Sequence, residues 1–126
     1  MNKIANIAVY VTDLERSERF YTEVLGLSVT ARISAPTVDE VIVGGETGSS
    51  LMLARSKETP VTSITPAGIW KVFVETDDVQ ALYSRAIGAG ATSVMEPTRL
   101  EQFRVTIAMV TDPDGYVVEL GHVEAR

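Results

Sequence analysis

Asn6 to Tyr10 and Lys71 to Glu75 are extended runs rich in Val, Ile, Tyr or Phe, a hydrophobic pattern that predicts two half-buried strands. After each strand the apolar residues recur at helical spacing. Leu14, Ser17, Phe20, Tyr21, Val24 and Leu25 form one stripe, with Glu15, Arg16, Glu18, Arg19 and Glu23 mostly off it. Val79, Leu82, Tyr83, Ala86 and Ile87 form another. Thr12 or Asp13, and Asp77 or Asp78, stand where a side-chain oxygen can cap the free N–H groups of each helix. Gly26 and Gly90 stand where each helix ends. Short apolar runs follow: Ser28 to Ile33, Glu40 to Val43 and Ser50 to Ala54 first, then Thr92 to Met95, Arg104 to Val110 and Tyr116 to Val123.

The pattern is therefore β-α-β-β-β, written twice. Residues 6–29 and 71–94 align over 24 positions without a gap, at an offset of 65. Pro60, Thr62, Ser63, Thr65, Pro66 and Gly68 cluster between the halves and read as a linker. The expected organisation is one α+β domain over 1–126, with a first module over about 1–58, a linker over about 59–68 and a second module over about 69–126. One such unit leaves a sheet face without helices, so the two modules are expected to curve around a shared cleft.

Composition narrows the function classes. The chain has 126 residues and no cysteine, which excludes disulfides, a thiolate nucleophile and cysteine-bound zinc. With a net charge of −6, only 11 Lys and Arg, and no basic block, it lacks the electrostatic footprint of a nucleic-acid binder. The opening residues lack the pattern of a secretory leader, and no apolar run approaches the roughly 18 residues of a membrane span. A cytoplasmic protein with no membrane or nucleic-acid partner is the expectation.

Two motifs carry a family resemblance: VTDLERSERFYTEVLGL, with Asp13, Leu14, Ser17, Phe20, Tyr21, Leu25 and Gly26, and DPDGYVVEL from Asp112 to Leu120. With the paired modules, they resemble the vicinal oxygen chelate superfamily of glyoxalase I, extradiol dioxygenases, fosfomycin-resistance enzymes and bleomycin-resistance proteins, over essentially the whole chain. In its metal-dependent members, the resemblance implies four ligands on the first and last strands of each module, usually His or Gln, Glu, His and Glu. Those positions are Asn6, Met52, Lys71 and Glu119 here, and only the last matches. Asn6 offers an amide oxygen, Met52 a thioether, and Lys71 a cation without a lone pair. No cofactor is expected on this basis, divalent metal included, and the four positions read as vestigial. His122, the only histidine, points away from Glu119 in a regular strand and reads as a solvent-exposed bystander.

The resemblance also sets the first and last strands of a module side by side, which pairs Lys71 with Glu119 and lets the ammonium stand in for the missing cation. Period-two alternation adds Ala8 and Tyr10 to the face of Asn6, Ser50 and Ala54 to that of Met52, Phe73 and Glu75 to that of Lys71, and Val117 to that of Glu119. Asn6, Ala8, Tyr10, Ser50, Met52, Lys71, Phe73 and Glu119 are thus the candidate ligand-binding residues. Trp70 is expected to face the helices or an entrance, and Arg104, after a turn at Pro97, to lie over the cleft or in solvent. The expected function is that of a glyoxalase or bleomycin resistance-like protein that holds a small organic molecule in a metal-free cleft, as an antibiotic-binding protein does. The alternative is a lyase, isomerase or dioxygenase with an atypical metal site, or with Glu119 as general base. An adjacent ammonium would weaken that base. Relatives of this length imply a homodimer.

Overall fold

The computed structural model describes residues 1–124. It divides into two compact units, one up to Ile64 and one from Thr65 onward. Residues 125 and 126, with which the expected second module ends, lie outside the described residues.

The first unit runs β1 (Asn6–Tyr10), α1 (Leu14–Arg19), β2 (Ser28–Ser34), β3 (Val38–Gly44) and β4 (Ser50–Ser56). Its sheet has the order β1-β4-β3-β2, with β1 parallel to β4 and the other pairs antiparallel. Asp13 caps α1, its Oδ1 accepting from the Arg16 amide at 3.0 Å. The expected single helix is corrected in one respect. After Arg19 the backbone widens into a π-type turn over Phe20–Val24, where the Leu25 amide donates to the Phe20 carbonyl, five residues back. That wider turn brings Phe20 and Tyr21 to the sheet together, edge to face at 5.4 Å, and both are buried. They pack with Leu14 and Leu25 on the side of the sheet that carries Val41, Val43, Leu51 and Leu53. Each such side chain contributes roughly 1.5–3 kcal/mol when fully buried.

The second unit repeats the plan: β5 (Val72–Glu75), α2 (Val79–Gly88), β6 (Ser93–Leu100), β7 (Val105–Thr111) and β8 (Val117–Val123), in the order β5-β8-β7-β6. Asp78 caps α2 through the Ala81 amide at 3.0 Å, and Val79, Leu82 and Ala86 are buried, as are Ala108, Val110, Val118 and Leu120 of the sheet. Gly26 (φ 77°) and Gly90 (φ 99°) close the helical segments in left-handed backbone. Pro97 does not make the expected turn. It lies inside β6, between Met95 and Thr98 where the register shifts. Because β6 is the edge strand, a residue without an N–H is tolerated there.

Asp112 starts the tight turn into β8, its Oδ1 accepting from the amides of Asp114 and Tyr116, both at 2.9 Å. The turn fixes where β8 begins and hence the register that pairs Phe73 with Glu119 on one side and Met109 with Glu119 on the other. Among the described residues, no helix is long and apolar enough to cross a membrane.

Candidate functional site

In each sheet the helix covers one face, and the candidate residues fall on the other. In the first unit, Asn6 is level with Ser50, Ala8 with Met52 and Tyr10 with Ala54. Asn6, Ser50 and Met52 are half-buried, whereas Ala8 and Tyr10 are exposed. In the second unit, Phe73 is level with Glu119, and Lys71 stands just before β5 on the same edge.

The second unit brings its candidates together. Lys71 Nζ lies 2.7 Å from Glu119 Oε1, with the Glu119 side chain 8% exposed and that of Lys71 24% exposed. Parallel pairing of β5 with β8 is what makes this contact, because it sets Phe73 level with Glu119 and leaves Lys71 two residues before Phe73 on the same face. Lys71 also stands 4.0 Å from the Trp70 ring centroid, a cation–π distance. Of the two expectations for Trp70, helices or an entrance, the first is corrected: the residue is 76% exposed, with the Lys71 ammonium over its ring. Phe73 completes the group. Its ring lies over Gly121, with Cζ 2.5 Å from where a Cβ would stand, so glycine there is what lets the ring lie flat.

His122 occupies the opposite face, as alternation predicts, but it is no bystander in solvent. It is half-buried, and Nδ1 donates to the Thr76 carbonyl at 3.2 Å. With Asp77, Asp78, Arg99 and Thr106 it borders a cavity of about 280 Å³. Arg104 is exposed in left-handed backbone (φ 53°), 4.0 Å from Glu124. Sequence reasoning missed Glu40, Ser56 and Glu58, which with Ala8, Tyr10 and Ala54 border a cavity of about 380 Å³ in the first unit. The signal was present in the pairing of β3 with β4, which sets Glu40 beside Ala54, but that register needs the structure.

The Glyoxalase/Bleomycin resistance protein/Dioxygenase superfamily model matches residues 3–120. A lactoylglutathione lyase of Neisseria meningitidis is 30% identical over 122 residues, which is 93% of this chain and 88% of that protein. The solved glyoxalase I of Leishmania major superposes with a TM-score of 0.80 at 27% identity, over 95% of this chain and 86% of that one. A mutant glyoxalase I of Zea mays gives a TM-score of 0.84 at 23% identity. That match covers 98% of this chain and 45% of the Zea mays chain, so this chain spans about half the length of that protein.

These relatives correct the expectation that no cofactor, and no divalent metal, is needed. Lactoylglutathione lyase and glyoxalase I stand in the metal-dependent branch of the superfamily. The expectation rested on counting side chains at Asn6, Met52, Lys71 and Glu119, and such a count does not decide the matter. A hard ion fills part of its shell with water and ligand oxygens. A separate question is whether the residues present form a ligand set, and in this arrangement they do not. The Glu119 carboxylate is engaged by an ammonium that has no lone pair to donate. Among the described residues, no group of three or more His, Cys, Asp or Glu side chains is placed to hold an ion. The two βαβββ units, the helix-free face with a carboxylate on its last strand, and a family match spanning nearly all of the chain lead to one conclusion: the chain belongs to the Glyoxalase/Bleomycin resistance protein/Dioxygenase superfamily.

Proposed function

We propose that this chain holds a small organic molecule on the open face of its second sheet, with Lys71 and Glu119 as the polar centre and Phe73 and Trp70 as apolar walls. The observation that carries the reading is the Lys71–Glu119 pair at 2.7 Å, with Glu119 in a strand that is apolar but for itself and His122. An ammonium has three N–H donors, and the contact with Glu119 engages one, which leaves donors for a carbonyl or carboxylate oxygen of a ligand. Phe73 is 47% exposed, so a flat apolar body gains from covering it and the neighbouring indole. Asn6, Ala8, Tyr10, Ser50 and Met52 belong to the same reading, as lining on the open face of the first sheet. Sequestration by occupancy, the antibiotic-binding role, needs nothing further; a homodimer is part of it, and light scattering of the purified chain reads the oligomeric state.

A thermal-shift panel of benzoate, phenylacetate and bleomycin, each with and without Ni²⁺ or Zn²⁺, tests the proposal. A true ligand raises the midpoint with its concentration, by the equivalent of about 2.7 kcal/mol at a hundred times Kd. Lys71→Met should abolish the shift. A panel in which no compound moves the midpoint, with or without ion, removes the proposal.

A second reading is an enzyme of the lactoylglutathione lyase kind, and one observation favours it, the 30% identity to the Neisseria meningitidis lyase over most of both chains. Glu119 is its candidate general base. Lactoylglutathione turnover in the presence of Ni²⁺ or Zn²⁺ that is lost in Glu119→Gln supports this reading, and no turnover with either ion removes it.

A further inference from the structure

We propose that the first unit takes an organic ammonium ion in the cavity between Tyr10 and Glu40. The proposal rests on the reading above, which puts Ala8 and Tyr10 on a ligand-holding face, and every residue that lines the cavity lies between Ala8 and Glu58. Strand order and register build it. Tyr10 on β1 is level with Ala54 on β4, and Ala54 is level with Glu40 on β3, so the three residues form one row across the open face. Adjacent strands lie about 4.8 Å apart, which sets the backbones of Tyr10 and Glu40 about 10 Å from each other. In this row the residue between them is Ala54, which carries only a methyl group and is 6% exposed. The result is a slot of about 380 Å³ with an aromatic wall, a carboxylate wall and an alanine floor, and with Glu58 at its rim.

The repeat explains why the slot is open. Ala8 corresponds to Phe73 at the offset of 65, and the row Tyr10–Ala54–Glu40 corresponds to Glu75–Gly121–Ile107. In the second unit the Phe73 ring lies over Gly121 and fills that space. In the first unit the equivalent side chain is a methyl group, and the space stays empty for a ligand.

The charge around the slot selects a cation. Glu40 and Glu58 have no ion-pair partner among the described residues. Asp39, one residue away on the opposite face, is met by Arg55 at 3.3 Å and Lys57 at 3.4 Å. Basic side chains thus compensate the helix face and leave the open face negative. A bare metal ion gains nothing from an alanine floor, whereas an alkylammonium covers the apolar atoms, meets the ring face and faces the carboxylates at once.

Isothermal titration with choline as probe, against its neutral isostere 3,3-dimethylbutan-1-ol and against calcium chloride, tests the site. Choline should bind at least about ten-fold more tightly than the alcohol. Glu40→Gln should weaken choline by a similar factor, whereas Glu46→Gln, in the exposed turn after β3, should leave it unchanged. Ala8→Phe, alone and with Ala54→Gly to recreate the Phe73–Gly121 arrangement, should abolish binding while keeping every charge. Circular dichroism and the thermal midpoint confirm that each variant is folded. Equal affinity for choline and the alcohol, binding of calcium in place of choline, no saturable binding of choline, or choline binding that survives Ala8→Phe in a folded protein would overturn the proposal.

Discussion

Glu119 is a carboxylate in the middle of a strand whose neighbours Val118 and Leu120 are fully buried, and its stability depends on the ammonium 2.7 Å away. Removing Lys71 leaves a buried charge without its partner, so Lys71→Met should cost about 1–3 kcal/mol; the quarter exposure of Lys71 keeps the loss below that of a fully buried pair. The double variant with Glu119→Gln should recover part of that loss, and urea unfolding of both singles and the double reads the coupling. Strictly additive losses would mean that the two side chains do not interact in solution. Ser17 presents the opposite case. Its hydroxyl is fully buried and has no hydrogen-bond partner among the described residues, so Ser17→Ala should be neutral or stabilising, by up to about 1 kcal/mol. A loss of more than that in thermal denaturation would show a partner for the hydroxyl in solution.

At the scale of elements, the turn before β8 has the most to lose. Asp112 is 5% exposed and satisfies two amides of the turn, so Asp112→Ala should cost about 1–3 kcal/mol and loosen the register that brings Glu119 level with Phe73. Faster amide exchange at Asp114 and Tyr116 than elsewhere in β8 is the expected sign. This turn, the helix caps and the doubled β-α-β-β-β order were legible in the sequence, because capping and turn chemistry are local. Lys71 beside Glu119 was legible too, but only through the family's strand order. The widening of the helix at Phe20 was not, since the apolar stripe from Leu14 to Leu25 suits a regular helix equally well. Nor was the course of β6 through Pro97, which is decided by an edge position that only the assembled sheet supplies. The slot beside Tyr10 required the cross-strand register of three strands, and the metal question turned on relatives rather than on side-chain types.

For the molecule as a whole, the ionisable groups predict a stability that falls at both ends of the pH scale. Hydrogen bonds from Arg32 hold the Glu18 carboxyl below its ordinary value, the Ser34 hydroxyl does so for Asp39, and the Arg16 amide for Asp13. A lowered carboxyl contributes stability that is fully present above its ordinary value and is lost as pH falls through the lowered one. The midpoint should therefore be flat near neutrality and drop below about pH 4. Tyr116 works the other way: burial first, then Asp112 and Asp114, push its phenol up, so its contribution is lost as pH rises above about 10. A midpoint that rose in acid would contradict these pairings. The open faces of the sheets are where function is expected, and the cavity beside His122, on the covered face of the second sheet, is the natural competitor. Amide chemical-shift mapping during titration with an aromatic carboxylate separates the two directly. A ligand held by Lys71 and Glu119 should move residues 71–75 and 117–121 together with Met109, and leave Asp77 to Gln80, Thr98 and Thr106 in place; shifts centred on those latter residues would contradict it.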